Sequence, residues 1–193
     1  ETTLVEGVLN LNNKGYASAN TARVGRLLGS GAITVNAATG TGNTLEIIST
    51  NEASLFRGNI TGNLALVKNG AATLTLNGTN TFNQNTTVNA GLLEVNGSVA
   101  GNVDLENGGT LGGSGTVSGA VHAKAGSALF ADGSIGVLHV GSLRLDGGST
   151  IQVEMSDADG PDGWDSLEAT GNLVLDLSDV SPCYIDLTGL DAG

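Results

Sequence analysis

Aromatic residues are scarce in this sequence: they make up 3% of the 193 residues, although hydrophobic residues make up 39%. Two packed sheets usually fill the space between them with large side chains, so this shortage disfavours a β-sandwich. Any core must be built mainly from Leu, Val, Ile and Ala. Such a thin core is typical of a solenoid, in which aliphatic side chains stack in ladders.

Proline, cysteine and positive charge are also rare. The 2 Pro and 31 Gly favour strands joined by tight turns, because Pro removes a ladder donor whereas Gly accepts positive φ. Cys183 is the only cysteine, which excludes an intrachain disulfide framework. The net charge of -12 argues against nucleic acid as a partner, because contact with phosphates needs clustered Lys and Arg.

The sequence also lacks a long apolar run. No run approaches the ~20 residues of a membrane helix, so we expect no membrane insertion by this segment. The chain begins at Glu1 without a signal peptide. We therefore expect residues 1–193 to be a single domain and a segment of a longer protein.

Short alternations of apolar and other residues recur about every ten residues, with Asn-Gly and Gly-Gly turns between them. Each alternation is the period-2 signal of a β-strand, and no segment shows a helical period. An antiparallel sandwich or barrel and a β-solenoid both fit strands at this spacing. The small residues favour the solenoid, as do nineteen Asn that can form side-chain ladders at rung corners.

The alternation also assigns side chains to the two faces of each strand. Thr75, Glu94 and Asp104 are predicted to face outward. Six neighbours are predicted to point into the core: Leu74, Leu76, Leu93, Val95, Val103 and Leu105.

Residues 70–95 carry a specific pattern: Gly70, Leu74, Leu76, Gly78, Asn80, Thr81, Phe82, Thr86, Val88, Gly91, Leu93 and Val95. This pattern resembles the autotransporter-associated β-strand repeat. Residues 83–85 depart from it, because they read Asn-Gln-Asn where the family usually has a glycine-rich corner. Flanking segments extend the resemblance over roughly residues 4–177.

The resemblance implies a right-handed, single-stranded parallel β-helix, or β-solenoid. It also implies an exported bacterial protein that is displayed at the cell surface or released, with an outer-membrane anchor in the full-length protein. Such repeats mainly form stalks or adhesive surfaces, so the resemblance implies a segment that is not an enzyme. It names no ligand.

Some parallel β-helices act on polysaccharides through paired carboxylates, and Asp104 and Glu106 lie on one side of a strand. No aromatic platform or basic partner adjoins them in the sequence. His122 and His139 each alternate with apolar residues and are predicted to face outward, without a nucleophile-elbow sequence to support a catalytic triad. Residues 112–115, Gly-Gly-Ser-Gly, lack the Lys of a phosphate loop and are interpreted as a turn.

The acidic residues concentrate in residues 141–193, whose net charge is -10. Within them, residues 156–166 are predicted to form an acidic loop that leaves the solenoid after Met155. Asp157, Asp159, Asp162 and Asp165 are candidate calcium ligands, because Ca²⁺ accepts six to eight oxygens in flexible geometry. A solvated loop without metal is the alternative interpretation, and no other cofactor is expected.

Three functions remain open at this point. The first is a structural or adhesive segment, with host or matrix molecules or a second copy of the chain as partners. The second is a polysaccharide-acting enzyme, and the third is a calcium-dependent carbohydrate-binding module.

Overall fold

The computed structural model describes residues 2–10, 21–35, 42–130, 136–154, 165–176 and 181–188. Within these residues every regular element is a β-strand. None of the described residues belongs to a helix with the length and apolarity that a membrane crossing requires.

The strands are short, and most span three to five residues. In chain order they are β1 (Thr2–Val5), β2 (Val8–Asn10), β3 (Thr21–Val24), β4 (Arg26–Gly29), β5 (Ala32–Val35), β6 (Asn43–Ile47), β7 (Ser54–Phe56), β8 (Ile60–Gly62), β9 (Leu64–Lys68), β10 (Leu74–Leu76), β11 (Thr79–Asn80), β12 (Thr86–Val88), β13 (Gly91–Val95), β14 (Ser98–Val99), β15 (Val103–Leu105), β16 (Gly109–Gly112), β17 (Thr116–Ala123), β18 (Ala128–Phe130), β19 (Val137–Asp146), β20 (Thr150–Glu154), β21 (Ser166–Ala169), β22 (Leu173–Asp176) and β23 (Tyr184–Thr188).

All described strand pairs are parallel, and the chain visits three faces in turn. The first face is the sheet β1-β4-β7-β10-β13-β16-β18-β20-β23. The second begins as β2-β5-β8 and continues through β11, β14 and the first halves of β17 and β19 to β21. The third contains β3, β6, β9, β12, β15, the second halves of β17 and β19, and β22. The chain is therefore a parallel β-solenoid, as the sequence predicts.

The sequence distance between stacked neighbours gives the length of each rung. On the first face, Leu74 pairs with Leu93, Leu93 with Leu111 and Leu111 with Leu129, which are steps of 19, 18 and 18 residues. The last step, from Ile151 to Ile185, is 34 residues long. It contains residues 155–164, which lie outside the described residues, so the acidic loop stays a prediction.

The core consists of aliphatic ladders that run through the rungs. Phe56 and Phe82 are its buried aromatic residues in the described part of the chain. The six residues predicted to point inward are each 0% exposed, which confirms the register: Leu74, Leu76, Leu93, Val95, Val103 and Leu105.

Glycine occupies the corner between the first and second faces on successive rungs. A Cβ atom at Gly78 would lie 1.9 Å from the carbonyl oxygen of Gly58, and one at Gly97 would lie 2.1 Å from that of Gly78. The same approach recurs at Gly115, where the Gly97 oxygen would lie 2.2 Å away. The backbones of stacked corners thus approach too closely for any side chain.

Because of this close approach, we expect Gly97→Ala to lower the free energy of unfolding by about 2 kcal/mol or more, since rigid backbone must move to admit the methyl group. Gly7→Ala is the control, because a Cβ there meets nothing within 4 Å, and we expect a change within about 0.5 kcal/mol. Urea unfolding measures both values. Similar losses in the two variants would contradict the close approach.

The confirmed register predicts that Leu76→Asp lowers the free energy of unfolding by at least about 4 kcal/mol, through lost aliphatic contacts and a buried carboxylate. Thr75 is the neighbouring outward position, and its hydroxyl donates to Glu94 Oε2 at 2.6 Å. Thr75→Asn is the matched control, because Asp would set a second carboxylate against Glu94. Equal losses in the two variants, measured by urea unfolding, would place the register one residue off.

Candidate functional site on the outer faces

Polar side chains on the outside of the solenoid bond from rung to rung. Arg23 Nε donates to Glu46 Oε2 at 2.7 Å, and Asn69 Nδ2 donates to Glu46 Oε1. Asn89 Nδ2 then donates to Asn69 Oδ1 at 2.5 Å. The hydrogen bond from Arg23 holds the pKa of Glu46 below its usual value. The predicted asparagine ladder therefore exists at the corner that follows β9 and β12, and the Arg23–Glu46 ion pair extends it.

Asparagine also fastens the corner between the first and second faces. Asn80 is fully buried, and its Oδ1 accepts from Ile60 N of the preceding rung at 3.0 Å. Its Nδ2 donates to Gly78 O and to Ser98 O of the next rung, both at 3.0 Å. One amide thus connects three rungs and satisfies its own polar atoms.

The paired carboxylates on the third face are engaged in similar contacts. Asp104 Oδ2 accepts from Asn85 Nδ2 at 3.3 Å, and Glu106 Oε1 forms an ion pair with Lys124 Nζ on the next rung. The hydrogen bond with Glu106 raises the pKa of Lys124. No basic residue adjoins this pair in the sequence, but stacking brings Lys124, eighteen residues after Glu106, to it.

His122 lies on the third face and His139 on the second. Each contacts a carboxylate of the following rung. His122 Nε2 lies 2.8 Å from Asp146 Oδ2, and His139 Nδ1 lies 3.2 Å from Glu168 Oε2. Within the described residues, neither imidazole is hydrogen-bonded to a serine hydroxyl. The structure thus joins each histidine to a carboxylate.

Asp146 links the histidine to two further charges. Its Oδ1 accepts from Arg144 Nε at 3.0 Å, and Arg144 Nη2 also donates to Asp176 Oδ2 at 2.7 Å. Burial alone would raise the pKa of Asp146, but hydrogen bonds from Arg144 and His122 outweigh it and lower that pKa. The arrangement is a network of ion pairs across three rungs.

The structure also describes the glycine-rich segment at residues 112–115 and one of the four candidate calcium ligands. Residues 113–115 form the corner between β16, which ends at Gly112, and β17, with Gly113 at a φ of 111°, so the interpretation as a turn is confirmed for these three residues. Asp157, Asp159 and Asp162 lie outside the described residues. Asp165 is 6% exposed, and its Oδ1 accepts from Gly136 N at 3.0 Å. Across the described ranges, no three His, Cys, Asp or Glu residues form a group that could hold a metal.

The C-terminal end of the solenoid exposes side chains from the inward ladders. Leu173 and Leu175 continue the ladders of Leu143 and Leu145, yet they are 59% and 54% exposed. Ile185 continues a ladder on the first face and is 70% exposed. Together they border a cavity of about 300 Å³ at this end.

Comparison with known proteins shows which segment is shared. Residues 66–95 match the family model for the passenger-associated-transport-repeat. We refer to residues 66–95 as the transport repeat. Two proteins of Serratia marcescens, both named extracellular serine protease, are 46% and 40% identical to this chain over 99 residues. The alignments cover 51% of this chain but 9% and 10% of those proteins.

The passenger-associated transport repeat runs from the middle of β9 to the end of β13. It contains Asn80 and Phe82, both fully buried, and the corner at residues 83–85 where the sequence departs from the related pattern. That corner still stacks: Asn83 N donates to Gly62 O at 3.1 Å, and Gln84 Nε2 donates to Asn63 Oδ1 at 2.6 Å.

Sequence analysis missed one residue of the repeat, Lys68. It is 1% exposed and follows Leu64 and Leu66 at the next inward position of β9. The period-2 alternation of Leu64 and Leu66 also places Lys68 inward, so the signal was present in the sequence.

The calcium hypothesis for residues 156–166 predicts that added Ca²⁺ raises the temperature of thermal unfolding, because a ligand that binds the folded state stabilises it. Replacing Asp159 and Asp162 by Asn should abolish this increment, whereas Asp104→Asn should retain it. Differential scanning calorimetry with Ca²⁺ and with a chelator measures the effect. An unchanged unfolding temperature would eliminate the metal and leave a solvated loop.

The exposed ladder residues predict concentration-dependent association, since unpaired strand edges beside apolar side chains accept a further strand. Leu175→Lys should weaken association. Val174→Lys is the matched control, because Val174 lies on the outer side of the same strand and is 46% exposed. Sedimentation velocity distinguishes the two variants. An ideal monomer at high concentration would contradict this prediction and indicate a cap formed by residues 1–10 or 182–193.

Proposed function

We propose that this chain is a non-catalytic structural segment of a secreted or surface-displayed bacterial protein, in which it acts as a stiff stalk and an adhesive surface. The observation that carries the proposal is the rung-to-rung use of outer polar groups. Asn, Asp, Glu, His, Lys and Arg side chains bond to the neighbouring rung, which stiffens the stack. Groups occupied in this way are poorly placed to act on a substrate.

Stiffness is supported by the continuity of the backbone ladders. Nine described strands stack on the first face, and a strand spacing of ~4.8 Å gives that stack a length of roughly 40 Å. Each interior rung pairs with a rung on either side, so bending requires many hydrogen bonds to deform together. A solenoid of this kind maintains distance between whatever its two ends carry.

The extracellular location is supported by the passenger-associated transport repeat and by the two relatives. Both relatives are named extracellular, and the segment that matches the transport-repeat model belongs to this solenoid. Because the alignments cover about a tenth of those proteins, the proteolytic activity in their names does not transfer to this segment. A polysaccharide-acting enzyme and a calcium-dependent carbohydrate-binding module remain the alternatives.

Activity measurements distinguish a non-catalytic stalk from a protease and from a polysaccharide-cleaving enzyme. The chain is incubated with casein and with a panel of acidic and neutral polysaccharides, and release of peptides and of reducing ends is measured. We expect no product above background. Product formation that His122→Asn abolishes would indicate proteolysis, and product formation lost on Asp104→Asn or Glu106→Gln would indicate polysaccharide cleavage.

Adhesion is tested on the same material. Beads coated with the chain are applied to surfaces bearing extracellular-matrix proteins and to glycan arrays, with and without a calcium chelator. We expect retention that the chelator does not alter. Binding confined to glycans and abolished by the chelator would favour the carbohydrate-binding module, and the absence of any retention would overturn the adhesive part of the proposal.

A further inference from the structure

A lysine lies inside the aliphatic core of the transport repeat. Lys68 occupies an inward position of β9, with Ile47 on the preceding rung and Val88 on the following rung of the same ladder. All three side chains are at most 1% exposed. A lysine normally keeps its ammonium in water, so this placement requires a specific set of partners.

The partners of Lys68 are two backbone carbonyls. Its Nζ donates to Gly70 O and to Ala90 O, the latter at 2.9 Å. Gly70 lies at the corner between β9 and β10, and Ala90 lies at the same corner of the next rung. An ammonium carries three protons, so two acceptors leave it incompletely paired.

No carboxylate of the described residues pairs with this ammonium. Within the described residues, Lys68 takes part in no ion pair. Glu46 of β6 precedes Ile47, the residue that pairs with Lys68, but it lies on the opposite side of the strand and is bonded to Arg23 and Asn69. The inward residues of β6, β9, β12 and β13 that surround Lys68 are otherwise uncharged.

We propose that Lys68 makes the corner that joins β9 to β10 and β12 to β13 a point of local opening, which protonation of the buried amine weakens and deprotonation strengthens. A charged group without a counter-ion destabilises the closed corner, because opening returns the ammonium to water. No side chain between Lys68 and Leu74 is buried. The opening that we propose separates the hydrogen-bonded amides of Asn69 and Asn89 on the outer side of this corner.

The direction of the pH dependence follows from the two states. Burial lowers the pKa of Lys68 to about 8, whereas an exposed lysine titrates near 10.4. Between these values the open corner binds more protons than the closed one, so the closed corner gains stability as pH rises through this window. Below about pH 8 both states are protonated, and the corner is at its weakest.

Titration of the wild-type protein provides the first test. The chain has three lysines, Lys14, Lys68 and Lys124, so the side-chain ¹³Cε signals are resolvable by NMR. We expect one signal to titrate at least one pH unit below the other two and to disappear in Lys68→Met. Three signals titrating together near the ordinary value would overturn the proposal without reliance on any variant.

Hydrogen exchange locates the opening. At pH 7, Lys68→Met should slow exchange at least about tenfold in peptides covering residues 66–76 and 86–95, since a pKa difference of one unit corresponds to a tenfold change. Lys124→Met removes a half-buried, outward-facing lysine of the same solenoid, and it should leave these peptides unchanged. Unchanged or faster exchange in Lys68→Met would overturn the proposal.

Unfolding temperatures of the wild type and both variants, measured at pH 7 and pH 9.5, provide a third test. The unfolding temperature of Lys124→Met should change with pH as that of the wild type does, since Lys68 is intact in both. Lys68→Met should lack the part of the increase that the buried amine supplies. The same pH response in all three proteins would contradict proton-linked opening at this corner.

Discussion

Parallel hydrogen bonding between stacked rungs is the interaction on which the rest of this structure depends. It holds each rung about 4.8 Å from the next, so equivalent side chains of successive rungs must meet. Inward positions become aliphatic ladders, and the same spacing brings the corner backbones at Gly58, Gly78 and Gly97 too close for a Cβ. Core composition and corner glycine are therefore two consequences of one constraint.

The same stacking determines the chemistry of the outer surface. Residues about twenty positions apart lie side by side, so Glu106 meets Lys124 and His122 meets Asp146. Glu106 raises the pKa of Lys124, and hydrogen bonds from Arg144 and His122 lower the pKa of Asp146 against the effect of burial. Perturbed titration is a frequent sign of catalysis, but ion-pair networks also produce it. Each exposed pair contributes little stability, and their number along the stack matters more.

Polar residues in the core differ in how completely the stack satisfies them. Asn80 donates and accepts within three rungs and is fully paired. Lys68 has two carbonyl acceptors for a charged group, and buried Thr86 Oγ1 has no hydrogen-bond partner among the described residues. Most other inward positions hold Leu, Ile or Val, whose side chains have no polar groups to pair. The corner that follows β9 and β12 therefore has the Asn69–Asn89 hydrogen bond on its outer side and an incompletely paired ammonium on its inner side.

The amino-acid sequence by itself determined the β-solenoid, the inward register of residues such as Leu76 and Val95, and the position of the repeat, because side-chain alternation and corner glycines are local properties of the chain. It also placed Asp104, Glu106 and both histidines on the outer side. Only the tertiary structure decided their partners, since the offset between stacked residues varies from 18 to 34 with the length of each rung. Local periodicity indicates the direction of a side chain, whereas rung length decides which residue lies above it.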